Sequence, residues 1–367
     1  MKKLIFGIAV LMGLMLASDS VLAQGNTAVP FLLISPNSRA SGMGESGTGI
    51  ADDAAALFWN PAGLAFQKGS EVSLSHAKWL PQFNLSDLFY EYLNFKTDIQ
   101  DFGTIGASVT YLNLGEFIQT SEQGPEEVGR FKAFEVAATA GVGVKLSEDW
   151  GLGVNLRFIN SRLSPIGTAN EKGDGVAYNV SGDIAAMWKP QHLMLPFTDI
   201  DAGGAFSMGL NLSNIGPKVV YIDAAQADPL PTQLRLGFGI VPYEDEYNKF
   251  QISVDFSKLL VYKDSTGHSD ALPKSMITTF TKPSFANVMK SINTGMGLEY
   301  TYNKWIALRM GYYFEDPSFG NRNFLTFGAG IKYDIYGFDF SYISAKDENS
   351  PLSDTLRFTL LVMWGGI

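Results

Sequence analysis

Apolar and polar side chains alternate with a period of two along many segments of about ten residues, the signature of strands with two unlike faces. In Thr355–Trp364, Leu356, Phe358, Leu360, Val362 and Trp364 share one face, while Thr355, Arg357, Thr359, Leu361 and Met363 share the other. Leu234, Leu236, Phe238 and Ile240 oppose Arg235, Gly237 and Gly239 in the same way. Phe250, Ile252, Val254 and Phe256 oppose Gln251, Ser253, Asp255 and Ser257, and Phe206, Met208, Leu210 and Leu212 oppose Ser207, Gly209, Asn211 and Ser213. The pattern predicts fourteen strands, near 71–80, 88–97, 103–114, 131–146, 150–161, 176–188, 203–214, 232–241, 249–260, 293–302, 304–314, 323–333, 336–345 and 354–364.

The face opposite the apolar one carries Asn155, Arg157, Asp183, Arg235, Asp255, Glu299, Arg309, Lys332, Asp339 and Arg357 among glycines and serines. A soluble sandwich buries its apolar face. A membrane barrel turns that face to lipid and lets opposite charges pair across a polar lumen. Alternation alone does not choose between the two. Connection lengths help. Those after even strands are short (98–102, 147–149, 242–248, Asn303, Asp334-Ile335), and those after odd strands are long (115–130, 162–175, 215–231, 261–292, 315–322, 346–353). Short periplasmic turns and long outer loops follow this parity in closed barrels with an even strand number. The long connection 189–202 breaks it.

The ends supply the rest. Lys2 and Lys3, an uncharged run from Leu4 to Ala17 and the small-residue site Val21-Leu22-Ala23 read as a cleaved signal peptide over 1–23, with Gln24 as mature start. That run is shorter than the ~20 residues of a spanning helix, and no later run approaches one. Residues 24–69 are glycine- and alanine-rich and do not alternate, so they are expected to fold into the polar lumen as a plug ahead of a barrel over 70–367. Within them, Asp53 is expected to cap a helix Ala54–Trp59. Asn60 then caps a turn with Pro61 at its first position and Gly63 close behind, which makes Asn60, Pro61 and Gly63 the expected hatch motif.

Composition agrees with export and a sheet. Aromatic residues make up 13% of the chain, glycines number 38 and cysteines are absent. Tyrosines and tryptophans such as Trp188, Tyr300, Tyr302, Trp305, Tyr312, Tyr313, Tyr333, Tyr336 and Trp364 sit near expected strand ends, where interfacial girdles place them. Without cysteine there is no disulfide, thiolate metal site or amino-terminal lipid anchor. Without the leader's Lys2, Lys3 and Asp19 the chain keeps 25 basic and 36 acidic residues, a balance opposed to nucleic-acid binding.

Chemistry-bearing motifs are few. Gly42-Met43-Gly44-Glu45-Ser46-Gly47 matches G-x-G-x-x-G, but no βαβ unit surrounds it, and the reading it supports is a close-packed glycine turn in the hatch. His76, His192 and His268 lack metal-ligand spacing. No G-x-S-x-G turn is present, although a serine–histidine phospholipase on a barrel remains an alternative. The chain is expected to have no catalytic, cofactor or metal site.

Ser35-Pro36-Asn37-Ser38-Arg39-Ala40-Ser41-Gly42-Met43-Gly44 and Phe58-Trp59-Asn60-Pro61-Ala62-Gly63-Leu64-Ala65 resemble the amino-terminal blocks of the PorV family of the type IX secretion system. The likeness continues in order through Leu212-Ser213-Asn214-Ile215-Gly216, Asp255–Val261, Ala307-Leu308-Arg309-Met310-Gly311-Tyr312, Gly320-Asn321-Arg322 and Ser350–Phe358. The Asn-Pro-Ala block also occurs in FadL-like transporters. The chain departs from the pattern in ending Trp364-Gly365-Gly366-Ile367, and 261–292 does not match block by block. The resemblance implies a FadL-like barrel in the outer membrane of a Gram-negative bacterium, in contact with outer-membrane lipid. It implies as partners a giant translocon barrel, the C-terminal signal domains of cargo and a PorU-like sortase of the surface attachment complex. The alternative it leaves open is a FadL-like channel for hydrophobic small molecules. A protein partner needs exposed surface, and the loop 261–292 holds candidate docking residues Met276, Ile277, Phe280, Phe285, Val288 and Met289.

Overall fold

A computed structural model describes residues 27–83, 87–121, 124–165, 175–194, 201–264, 266–347 and 350–365. The leader and Gln24 lie outside them, as do parts of the loops 162–175 and 189–202. Fourteen antiparallel strands close into one barrel: β1 Ser70–Lys78, β2 Phe89–Ile99, β3 Gly103–Ser121, β4 Gly124–Lys145, β5 Trp150–Arg162, β6 Val176–Trp188, β7 Phe206–Ile215, β8 Gln233–Glu244, β9 Asn248–Leu259, β10 Ile292–Tyr302, β11 Ile306–Phe314, β12 Asn323–Tyr333, β13 Tyr336–Ala345 and β14 Leu356–Trp364. Each strand pairs with its sequence neighbours. Closure comes from β1 against β14, with Val72 opposite Val362 and Leu74 opposite Leu360. Closure removes the unpaired edges that an open sheet would leave to aggregate.

Side-chain direction settles which face is inside. Leu360 is 60% exposed and Leu156 69%, whereas Arg357 and Asp183, in adjoining positions of the alternation, are 2% and 1% exposed. The outward rows are apolar and the inward rows polar, as a lipid-facing wall around a polar lumen requires. Among the described residues no helix is long and apolar enough to cross a membrane. Aromatic pairs such as Trp150–Trp188, with centroids 6.1 Å apart, sit at the short-turn end where a girdle belongs.

Three departures from the sequence expectation have physical causes. Residues 115–130, expected as a loop, largely continue β3 and β4 as a two-stranded ribbon beyond the wall, with Phe117 opposite Phe131 after a bulge at Asn113/Gly115. Outside lipid the ribbon needs no apolar face, and Glu116, Glu126, Glu127 and Arg130 erase the alternation that marks its lower part. The long even connection 189–202 forms a stem, with Met194 bridged to Asp201 and Ala202 N donating to Leu193 O. His192 Nδ1 lies 2.9 Å from Asp201 in this stem. Their hydrogen bond raises the imidazole pKa and brings the carboxyl down to about 2. In the loop 261–292 two helices form, Lys274–Thr281 and Phe285–Lys290.

Candidate functional site: closed lumen and extracellular rim

Residues 27–69 run inside the barrel from the long-loop end, extracellular by the usual arrangement, to the short-turn end where β1 begins. Ala28 N donates to Pro229 O at the upper end. Phe31 and Leu32 pack there with Tyr90, Tyr92, Leu112, Ile159, Val219 and Leu230 in one apolar cluster. Further down, a single helical turn Ser38–Ser41 lies against β12–β14, and Ser38 N donates to Thr359 Oγ1 at 3.0 Å. Gly44 N donates to Thr326 Oγ1 at 2.9 Å, and Gly47 N and Thr48 N both donate to Asp255 Oδ2.

The glycine turn 42–47 is thus a wall contact. Gly44 has φ +66°, and a Cβ there would strike the backbone of Met296 and Tyr312. On the wall, a Cβ on Gly153 would strike the Pro61–Ala62 peptide, so glycines on both sides bring backbone against backbone. Helix Ala56–Trp59 is shorter than the expected Ala54–Trp59, and its N-cap is Ala55, not Asp53. The Asp53 carboxylate accepts from Ala55 N at 2.9 Å, forming a turn one step earlier that takes the place of a cap. Asn60 accepts from Ala62 N through Oδ1 at 3.0 Å, and its Nδ2 donates to Thr48 O and Ala186 O. Pro61 opens a 3₁₀ helix, Pro61–Phe66, and a side chain on Gly63 would collide with Ala51.

Lumenal charges are mostly paired. Arg157 lies 2.7 Å from Asp183, with Asn155 and Asn214 completing the group. Arg309 bridges Glu299 at 2.6 Å and Asp339 at 2.5 Å, while Arg39 from the hatch reaches Glu299 at 2.8 Å and contacts Asp52. Among the described residues four expected charges form no ion pair: Lys332 lines a cavity at the short-turn end, and the other three find partners on the hatch. Arg235 stacks over Phe58 and Trp59, with centroids 4.7 and 4.9 Å away, Arg357 donates to Ser41, and Asp255 takes hatch amides. The hatch supplies those partners, and strand alternation carries no trace of them. The cavity at the short-turn end has a volume of about 250 Å³ and is bordered by Arg39, Glu71, Glu299, Trp305, Lys332 and Met363. A second, of about 10 Å³, lies beside Phe31, Tyr90 and Arg157.

At the rim, the ribbon exposes Ile118 (55%) and Val128 (58%) and stacks Phe117 on Phe131 at 5.7 Å. The neighbouring loops are tied together by Lys218 Nζ donating to Ser269 O and by Lys263 with Asp228 at 3.3 Å. Of the six candidate docking residues, Ile277, Phe280, Phe285 and Met289 are exposed, whereas Met276 and Val288 are half-buried. Among the described residues no three His, Asp or Glu side chains are grouped to hold a metal.

A family model described as type IX secretion system protein PorV matches residues 19–266, more than half of the chain. The chain belongs to the PorV family. This PorV-family barrel also resembles several solved structures. The toluene transporter TbuX of Ralstonia pickettii has a TM-score of 0.53 at 13% identity, over 90% of this chain and 98% of its own. The P. putida toluene transporter TodX has a TM-score of 0.47 at 13% identity, over 89% and 96%. A Pseudomonas aeruginosa FadL homologue has a TM-score of 0.46 at 11% identity, over 90% and 98%. At such identities the TbuX likeness shows the fold alone. No curated protein matches the chain.

Proposed function

We propose that this PorV-family barrel, once its leader is removed near Gln24, binds the type IX translocon and the C-terminal domains of cargo at its extracellular rim. It then passes cargo to the surface attachment complex and performs no catalysis itself. The observation that carries this reading is the filled lumen. Residues 27–69 meet the inner wall all the way round, from Glu71 on β1 through Asn155, Asn211, Asp255 and Glu299 to Thr359 on β14. Among the described residues, cavities of about 250 Å³ and about 10 Å³ lie inside, neither of them large enough for a protein domain, so protein-sized contact belongs outside. A standard interface buries about 800 Å² on each partner. The β3–β4 ribbon stands clear of the wall and is the rim element assigned to protein contact.

The alternative, a channel for hydrophobic small molecules, draws on the transporter-like fold and the apolar cluster around Phe31 and Tyr90. Replacing 116–132 by a short glycine–serine turn between Gly115 and Ala133 should leave a heat-modifiable barrel. Pull-down of a translocon-sized barrel or of cargo C-terminal domains should then be lost. Unchanged capture would remove the ribbon from the account, and absence of any protein partner with the intact chain would favour the channel.

A further inference from the structure

The two helices after β9 lie outside the barrel, on its lipid-facing wall. Lys258 extends the outward row Phe250, Ile252, Val254 and Phe256, yet it is only 6% exposed. The helices cover it: Lys258 Nζ donates to Ser291 Oγ and sits 5.3 Å from the centre of the Phe280 ring, and Thr279 Oγ1 donates to Leu259 O. In register, Lys258 pairs with Leu234 on β8 and Ile292 on β10, the last members of the outward apolar rows on those strands. The helical hairpin therefore sits level with the upper end of the outward apolar rows, where the lipid headgroups of a surrounding bilayer would begin.

Its own chemistry suits that layer. Ile277 is 66%, Phe285 81% and Met289 52% exposed. From Lys274 to Ser291 there are three lysines and no acidic residue, in a chain whose net charge is −10. Lys274 pairs with Asp270, while Lys282 and Lys290 are exposed at the ends of the two helices. Apolar side chains beside lysines, on short helices lying along a membrane surface, are the makeup of interfacial anchors. We propose that this hairpin is a membrane foot: Ile277, Phe285 and Met289 enter the outer leaflet, and Lys282 and Lys290 hold the phosphates of its lipids. The inference is independent of the secretion reading and needs only the barrel in its bilayer.

Because the chain has no cysteine, single labels report cleanly. Phe285→Cys and, as control on the ribbon, Phe117→Cys carry a nitroxide in vesicles of phosphatidylcholine with or without lipid A. The label at 285 should collide with oxygen more than with an aqueous nickel chelate, and the label at 117 should do the reverse. A label at 285 as open to the chelate as the control in both vesicles would overturn the proposal. So would shielding at 285 that appears only when another envelope protein is added, since the face would then be a protein dock. The second arm uses Lys282→Gln/Lys290→Gln, with folding checked by heat-modifiable mobility. A lysine near an anionic membrane surface contributes about fivefold, so retention of lipid A should fall by at least that factor. Unchanged retention would overturn the headgroup contact.

Discussion

Asp183→Ala is expected to cost the barrel about 3–5 kcal/mol, the penalty for leaving a buried charge without its partner. Arg157 and Asp183 are 8% and 0% exposed through their side chains and meet at 2.7 Å. Asp183 also accepts from Asn155 Nδ2 and from the backbone amide of Asn214. Removing it leaves the buried guanidinium with the neutral acceptors Thr139, Ser181 and Asn214. Asp183→Asn keeps the shape but loses the charge, so it should fall between wild type and alanine. Urea unfolding in lipid, followed by heat-modifiable mobility, measures the difference. An alanine variant as stable as wild type would show that water reaches Arg157 and that the lumen is looser than described.

Leu360→Arg should impair assembly through a different cost. Leu360 stands at the middle of β14, between Phe338 and Leu74, and points outward. Arginine at a lipid-facing midplane position costs about 2–4 kcal/mol. A control on the lumenal face cannot be Thr359, which is tied to Ser38 of the hatch and to Ser75, so a larger side chain there would displace the plug. Met363 is the better choice, because it borders the 250 Å³ cavity on the same strand. Met363→Arg should fold into bilayers at close to wild-type yield while Leu360→Arg does not. Equal loss in both would mean that the wall is not read by lipid on one face alone.

The barrel wall was legible because lipid imposes a rule on every second residue. Leu356, Phe358 and Leu360 announce their face without help from any distant contact. Where that rule stops, legibility stops. The ribbon past Gly115 is free of lipid, so Glu116 and Arg130 occupy positions that inside the membrane would be apolar. The stem at Met194 and Asp201 hid within a connection whose length was its one visible feature. Within the hatch, Asn60 and Pro61 were readable as a local turn, since both partners of the bond Asn60 Oδ1 to Ala62 N lie within three residues. The stacking of Arg235 on Phe58 and Trp59 spans more than 170 positions and follows from no local pattern. The loop 261–292 gave its apolar residues but not their direction, which depends on Lys258 beneath the hairpin.

The claim on which the functional account rests is that the amino-terminal segment closes the lumen, leaving work for the outer surface. Planar-bilayer conductance tests it most directly. The intact barrel should pass little ion current, and a variant lacking 27–66, verified as a folded heat-modifiable barrel, should open to porin-like steps. An intact barrel that conducts as strongly as the deletion variant would contradict the closed lumen and return the small-molecule channel to first place.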